Sequence, residues 1–522
     1  MKKKIKLIFA LILCLAIVSC NKWLDIRPEN STPDAELFST GEGFRNALNG
    51  IYINLADYSL YGQELTWGFL SAISQQYNQT TEGNVSKHYP DAARFLYKTD
   101  ETEPIIKNIW EKSYTAIANI NKLLDFANQA DPGIFDYGAD ELDLIRGEAL
   151  ALRAMIHFDL LRLFAPAPNA PNNGDRYIPY RKDYSPHVAE KLTLDEFLTQ
   201  TCADIDSARK LLYHFDIEVH PFALNASNTS NQEEVPFWNA YYRYQSDRSV
   251  QQDNWGRFFW WRGSRLNYLA LLGIGARINL YAGNDPKAKE FALELFDTYY
   301  KNLRWIGFSQ ESKVAVTKNK RYSKLLDDVL FSVYKSNLTE QYSDVSAVLS
   351  GENVTTIPFA NIPSLFASDN TNIYTDWRLE YILATTNEAT PSYYSLKYEA
   401  SIDDDIAGYQ DSYVPIIRFS EVCHILAEIA CREGDLTKGI EYLEEVRSAR
   451  GATRPLNLTV TSSDELMNEI ILDARKEFLG EGQTFFLFKR LNIQQIESQD
   501  ETGSVNMSGN YVLPIPDSES AI

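Results

Sequence analysis

"YAGNDPKAKEFA" (residues 281–292) and "CREGDLTKGIEYL" (residues 431–443) are two versions of one pattern. Setting Gly283 on Gly434 brings Asn284 onto Asp435, Lys287 onto Lys438, Ala288 onto Gly439 and Phe291 onto Tyr442. A glycine takes the left-handed conformation that closes one helix, and a short amide or acidic side chain accepts from the free N–H groups that open the next. The small residue after that lets the two helices pack closely. Helices joined in this way follow the grammar of tetratricopeptide-like hairpins. The copies are irregular and separated by long insertions. The expected fold is therefore mostly α, an irregular tetratricopeptide-like helical-repeat scaffold with long loop-rich insertions and a few short strands.

Outward from these junctions, most recognisable elements are amphipathic helices. "IIKNIWEKSYTAIANINKLLDFA" spaces Ile109, Ala116, Ile120 and Leu123 at helical intervals. "DELDLIRGEALALRAMIHFDLLRLFA" runs on until Pro166, which cannot extend a helix. "TLDEFLTQTCADIDSARKLL" opens with Thr193 three residues before Glu196, the reciprocal capping pattern. The clearest strand is "DVLFSVYKS". Between the helices lie three loop-rich blocks, roughly 58–106, 214–262 and 304–413. The first holds Tyr58, Tyr61, Trp67, Tyr77, His88 and Tyr89, and the third holds Trp305, Tyr342, Phe359, Tyr393 and the acidic run Asp403–Asp405. Long loops in a compact domain are usually functional.

The N-terminus begins with Lys2, Lys3, Lys4 and Lys6, followed by an apolar run from Leu7 to Val18. Such a run spans about 18 Å as a helix, short of a bilayer core of roughly 30 Å, so it reads as an export signal. Ile17, Val18 and Ser19 lead straight into Cys20, a pattern similar to a bacterial lipobox. Cys20 is expected to be the first mature residue and the site of lipidation. Residues 1–19 would then be a lipoprotein signal peptide and 20–522 a single domain: scaffold with aromatic-rich loops (20–303), loop-rich insertion (304–413) and C-terminal helical part (414–522). Cys423 and Cys431 lie eight apart on one expected helix, about 12 Å, too far for a disulfide.

The formal net charge of −21 argues against nucleic acid as a partner. With 44% hydrophobic and 23% charged residues the chain is globular. An aromatic share of 13%, with 31 tyrosines and 9 tryptophans, suits wet binding surfaces as well as cores.

Seven segments in one order resemble the RagB/SusD-type nutrient-binding outer-membrane lipoproteins. "CNKWLDIRP" is similar to their habitual opening, followed by "WEKSYTAIANINKLL", "GEALALRAMIHFDLLRLFA", "VPIIRFSEVCHILAE", "LEEVRSARG" and "ARKEFLGEGQTFFLFKRLN", with "YVLPIPDSE" at the close. The commoner form after Glu-Gly carries an Arg and an Asp-Leu pair, where this chain has Gln483 and "FFLFKR"; the Ala usual before Glu421 is Ser420. The resemblance implies a surface-exposed, lipid-anchored outer-membrane protein. It would capture an oligosaccharide, less often a peptide, and pass it to a SusC-like TonB-dependent transporter, without catalysis, cofactor or metal. In that family ligand contacts come from the early loop block and from the later insertion. By placement, the expected ligand-binding residues are Trp67, Tyr77, Tyr89, Trp305 and Tyr342, with Asn78, Arg94 and Asn337 as polar companions. A scaffold whose tetratricopeptide-like face binds peptides or proteins is the alternative.

Other motifs carry less. The six histidines form no HExxH pair, and no G-x-S-x-G elbow or Walker loop occurs. Ala407 breaks an EF-hand-like reading of Asp403–Asp405. Glu148 with Arg153, and Arg418 with Glu421 and Glu428, read as helix-surface or interface ion pairs, and "FFWWRG" (258–263) as packing.

Overall fold

The computed structural model describes residues 34–520 apart from 79, 82–83, 86–88, 172–173, 186, 220–256, 261, 351–356, 370, 372, 387–391 and 402–409. The signal segment, Cys20, His88, most of the second loop block and Asp403–Asp405 lie outside the described residues.

The scaffold helices are α1 (Gly41–Leu55), α2 (Thr102–Ala127), α3 (Gly138–Phe164), α4 (Leu194–Tyr213), α5 (Tyr268–Tyr281) and α6 (Asp285–Leu293). The third loop block contributes α7 (Leu338–Ser350), and the C-terminal part contributes α8 (Phe419–Arg432), α9 (Leu436–Ala449), α10 (Ser463–Glu477) and α11 (Gln483–Arg490). Successive helices pack as antiparallel hairpins, α2 on α3, α3 on α4, α5 on α6 and α8 on α9. Both quoted junctions fold as their residues require. Gly283 and Gly434 take φ of +71° and +80°, and Asn284 and Asp435 accept from the Lys287 and Lys438 N–H groups at 3.4 and 3.0 Å. A Cβ on Gly439 would meet the Leu466 side chain at 2.6 Å, so the small residue is demanded by the neighbouring helix. The Thr193–Glu196 capping box is formed in both directions.

α3 is enclosed by its neighbours on almost every side, with Leu144, Ala151, His157 and Leu161 all buried. Burial pulls the His157 imidazole down to about 3, so it is neutral. Its Nδ1 faces the Arg153 carbonyl (2.9 Å) and its Nε2 accepts the Arg181 N–H (3.0 Å). The expected strand forms as β1 (Val329–Tyr334), antiparallel to β2 (Tyr413–Arg418), where the chain re-enters the scaffold. The other strands are two- or three-residue pairs among the described residues.

The charged motif residues are interior and not on helix surfaces. Arg153 pairs with Asp204 (2.7 Å), while Glu148 faces Arg262 (3.0 Å) and Arg265 (2.5 Å). Arg418 meets Glu481 (2.6 Å) and Asp328 (3.2 Å); Glu421 is held by Arg277 (2.6 Å) and Glu428 by Arg490 (2.5 Å). Arg450 joins Asp328 (2.6 Å) to Glu477 (2.5 Å). Burial alone would raise the Glu477 carboxyl, but Arg450, Arg378 and Arg418 outweigh it and hold it far below the carboxylate range. Helical spacing places these residues on faces, but does not show that every face meets another helix. In the 258–263 segment Phe259 is core, as expected of packing, and Arg262 is fully buried against Asp216 (2.6 Å). In "FFLFKR", Phe485, Phe486 and Phe488 are buried, and the Lys489 ammonium donates to the Arg162 and Tyr511 carbonyls at 2.5 and 2.6 Å.

Candidate functional site

The first and third loop blocks meet in space. "LYGQELTWGFL" (60–70) folds as a run of tight turns whose N–H groups bond to Gln63, Leu60 and Asp57 carbonyls, and this drives Trp67 inward. Trp67 is 0% exposed, its Nε1 donating to the Gly62 carbonyl (3.2 Å). Its ring lies edge-on to Tyr342 of α7 (5.1 Å) and tilted to Tyr398 (5.9 Å). Tyr77 is 2% exposed, donates its hydroxyl to the Trp67 carbonyl, and packs on Phe359 of the third block (5.2 Å). Backbone bonds from Asn78 N–H to Pro358 (2.9 Å) and from Ala360 N–H to Gln76 (2.7 Å) fasten the two blocks.

A polar group is joined to this aromatic bed. Glu64, only 5% exposed, accepts the Tyr89 hydroxyl on both oxygens (2.9 and 2.8 Å) and the Phe69 N–H (3.0 Å). Gln63 Nε2 donates to the Tyr89 oxygen (2.7 Å), and Gln341 Nε2 from α7 donates to Gln63 Oε1 (2.6 Å). Burial pushes the Glu64 carboxyl up to about 7 against the lowering effect of those hydrogen bonds. Burial and the neighbouring Glu64 charge likewise raise the Tyr89 hydroxyl far above the usual phenol value. Tyr89 is half-buried and sits at φ +54°, a strained backbone for a non-glycine residue.

The expected residues therefore divide. Trp67, Tyr77 and Tyr342 come together, but at 0, 2 and 3% exposure they offer no face to a ligand; they are corrected to the packed bed beneath the site. The physical reason is the turn geometry of the first block, which turns Trp67 and Tyr77 inward against α7. Tyr89 and Asn78 stand half-exposed at the seam, Asn78 Nδ2 reaching Glu501 (3.4 Å). Asn337 is exposed one helical turn before Gln341, whose N–H it accepts at 2.9 Å. Arg94 is exposed and paired with Asp91 (2.6 Å). Trp305 is not brought to this group and packs on Tyr299 (5.4 Å) beyond α6. Gln63, Glu64, Gln341 and Tyr398 escaped the sequence reading. The one available signal was a Gln-Glu pair enclosed by apolar residues on both sides, which marks a carboxylate drawn into an interior.

The helical scaffold thus presents a polar seam over an aromatic bed. Profiles of two families match the chain: one described as "Starch-binding associating with outer membrane" over residues 22–226, and the SusD family over residues 364–519. The chain belongs to the SusD/RagB family. SusD-like protein P38 of Formosa agariphila is 22% identical over 516 residues, covering 94% of this chain and 92% of that protein. A SusD-like carbohydrate-binding protein from Bacteroides vulgatus superposes with a TM-score of 0.65 at 18% identity, covering 92% of this chain and 96% of that one. A laminarin-binding SusD-like protein superposes with a TM-score of 0.59 at 15% identity over 92% and 97% of the two chains. These superpositions establish the mostly α fold. The family is associated with the outer membrane, and no helix among the described residues is long and apolar enough to cross a membrane.

Proposed function

We propose that this protein captures an oligosaccharide at the seam between its first and third loop blocks and delivers it to a SusC-like TonB-dependent transporter, held at the outer membrane by lipid on Cys20. The observation that carries the reading is the Glu64–Tyr89–Gln63–Gln341 chain of hydrogen bonds beside Trp67 and Tyr342. The half-buried Gln341 amide and Tyr89 ring are the groups that can meet a sugar's hydroxyls and face, and the buried Gln63 and Glu64 behind them hold them in fixed orientation. The half-exposed Asn78 and the exposed Arg94 and Asn337 are the polar companions in this reading. Family membership and the carbohydrate-binding neighbours support the ligand class. The lipobox-like Ile17–Cys20 segment supports the anchor.

Affinity gels containing a panel of polysaccharides test the ligand. The mature chain carrying Cys20→Ser is expected to be retarded by one glycan class, and Tyr89→Ala with Gln341→Ala is expected to abolish that retardation. Retardation by no glycan in the panel would refute the reading and favour the peptide-binding alternative. Membrane fractionation of cells producing Cys20→Ala, with loss of the protein from the outer membrane expected, tests the anchor. Co-purification of a barrel transporter with the lipidated chain tests delivery.

A further inference from the structure

A groove of about 550 Å³ runs along the outer face of α2, where residues 177–185 cross it, and it shares no lining residue with the seam. That volume lies within the roughly 300–1,000 Å³ usual for small-molecule sites. Its walls are unusually well fixed for a loop-lined surface. Tyr114 donates its hydroxyl to the Pro179 carbonyl (2.9 Å), and Asn121 Nδ2 donates to both Arg181 and Asp183 carbonyls (3.2 Å each). Arg153 reaches the Lys182 carbonyl (3.1 Å), the neutral His157 accepts the Arg181 N–H (3.0 Å), and the Arg181 guanidinium ties down the His187 carbonyl (3.0 Å). Four side chains from α2 and α3, with Arg181 from within, thus hold one short segment, and that segment carries Tyr184.

Tyr184 is 53% exposed, among the most exposed aromatic rings of the described residues. The Lys122 ammonium, itself paired with Asp34 (2.9 Å), sits 4.8 Å from the ring centroid and covers one face. The exposed side chain lines the groove. Around it the groove carries the carboxylates of Glu111, Asp183 and Glu519 and the guanidinium of Arg181. An open ring bordered by hydrogen-bond acceptors suits a flat, hydroxyl-rich ligand. With Lys122 and its partner Asp34 and with Lys107 beside Glu111 included, four carboxylates stand against three cations around the ring, a negative excess that disfavours anions.

We propose that this groove is a second saccharide site, selective for neutral sugars over uronic or sulfated ones, with Tyr184 as the stacking platform. The proposal rests on the glycan-binding reading above and places a further contact on the scaffold itself. A long polysaccharide engaging both sites would be held by two modest contacts acting together, which raises avidity without making either contact slow to release.

Isothermal titration of the Cys20→Ser chain with neutral hexasaccharides from β-glucan, α-glucan, mannan and xylan separates the two claims. Two binding sites per chain are expected for the cognate sugar. Tyr184→Ala should leave one, its lost site weakened at least tenfold, and Tyr184→Phe should keep both because the ring is retained. Tyr89→Ala with Gln341→Ala should remove the other site and leave the Tyr184-dependent one. A single site in the parent chain that survives Tyr184→Ala, or two sites surviving it, would overturn the groove while leaving the seam standing, whereas a single site lost in Tyr184→Ala would overturn the seam. Binding of no sugar would overturn both. Tyr184-dependent binding of an alginate hexasaccharide would overturn the selectivity.

Discussion

Replacing Glu64 by glutamine should stabilise the protein in alkaline solution and destabilise it in acid. Burial raises the Glu64 carboxyl from 4.5 to about 7 in the folded chain. A raised carboxyl means the folded state binds its proton more tightly than the unfolded state, so the charge costs stability as pH rises from 4.5 towards 7 and the full penalty persists above 7. At about 1.36 kcal/mol per pH unit, a rise from 4.5 to about 7 corresponds to about 3 kcal/mol. The glutamine side chain carries no charge and avoids that penalty. It would also present an N–H₂ to one of the three donors that Glu64 now accepts from, Tyr89 O–H, Gln63 Nε2–H and Phe69 N–H, and a lost hydrogen bond costs about 1 kcal/mol. The expected balance is a gain of about 2 kcal/mol at about pH 8 and a loss of about 1 kcal/mol at about pH 4.5. Urea unfolding of parent and Glu64→Gln chains, followed by tryptophan fluorescence at both pH values, gives the two differences. A difference that does not change between those two conditions would refute the account of Glu64 as a carboxylate whose charge is penalised by burial.

Three further outcomes follow from the interior. Arg450→Ala leaves Asp328 and Glu477 buried with one cation fewer and should cost about 3–5 kcal/mol, read as a fall in the unfolding midpoint. Gly482 sits at φ +75°, with the Leu65 carbonyl where a Cβ would go, so Gly482→Ala should cost more than the about 1–2 kcal/mol of the left-handed backbone alone; near-ultraviolet circular dichroism should report the disturbance at the adjoining Trp67. Thr193→Ala removes the capping box of α4 and should cost about 1 kcal/mol, measured by the same urea unfolding.

The helix junctions were legible because a positive-φ glycine followed by an amide or carboxylate has few other uses, and the structure forms both. The strand at 329–334 was legible as a short β-branched and aromatic run bounded by polar residues. Of the two readings of the charged motif residues the interface one forms, with partners other than those expected, because a helical repeat assigns a residue to a face without saying which element covers it; Glu148 and Arg418 face interior partners more than sixty residues away. The same limit explains the aromatic residues. Trp67 and Tyr342 do meet, but their exposure depends on turns and on a long-range approach between blocks that no local spacing encodes. Glu64 was hidden by being one carboxylate among 71 acidic residues.

The ladder between β1 and β2 sets Tyr334 opposite Tyr413, so residues 335–412 leave and rejoin the scaffold at one point. A stretch clasped at its base behaves as a cassette: doubling its length costs only about 0.6 kcal/mol in closure entropy. The Asp328–Arg418–Arg450 ion network on the scaffold side of the clasp is joined by three cassette residues: Arg378 reaches Asp473 and Glu477, Lys397 reaches Glu481, and Asp369 holds Arg447 and Lys476. Gln341 and Tyr342 lie inside it, whereas Gln63, Glu64 and Tyr89 lie outside. Half of the seam is thus inherited with the fold and half is exchangeable, so swapping residues 335–412 between relatives should transplant ligand preference while the rest of the molecule folds unchanged, provided that Asp369, Arg378 and Lys397 are kept as partners of the scaffold's buried charges.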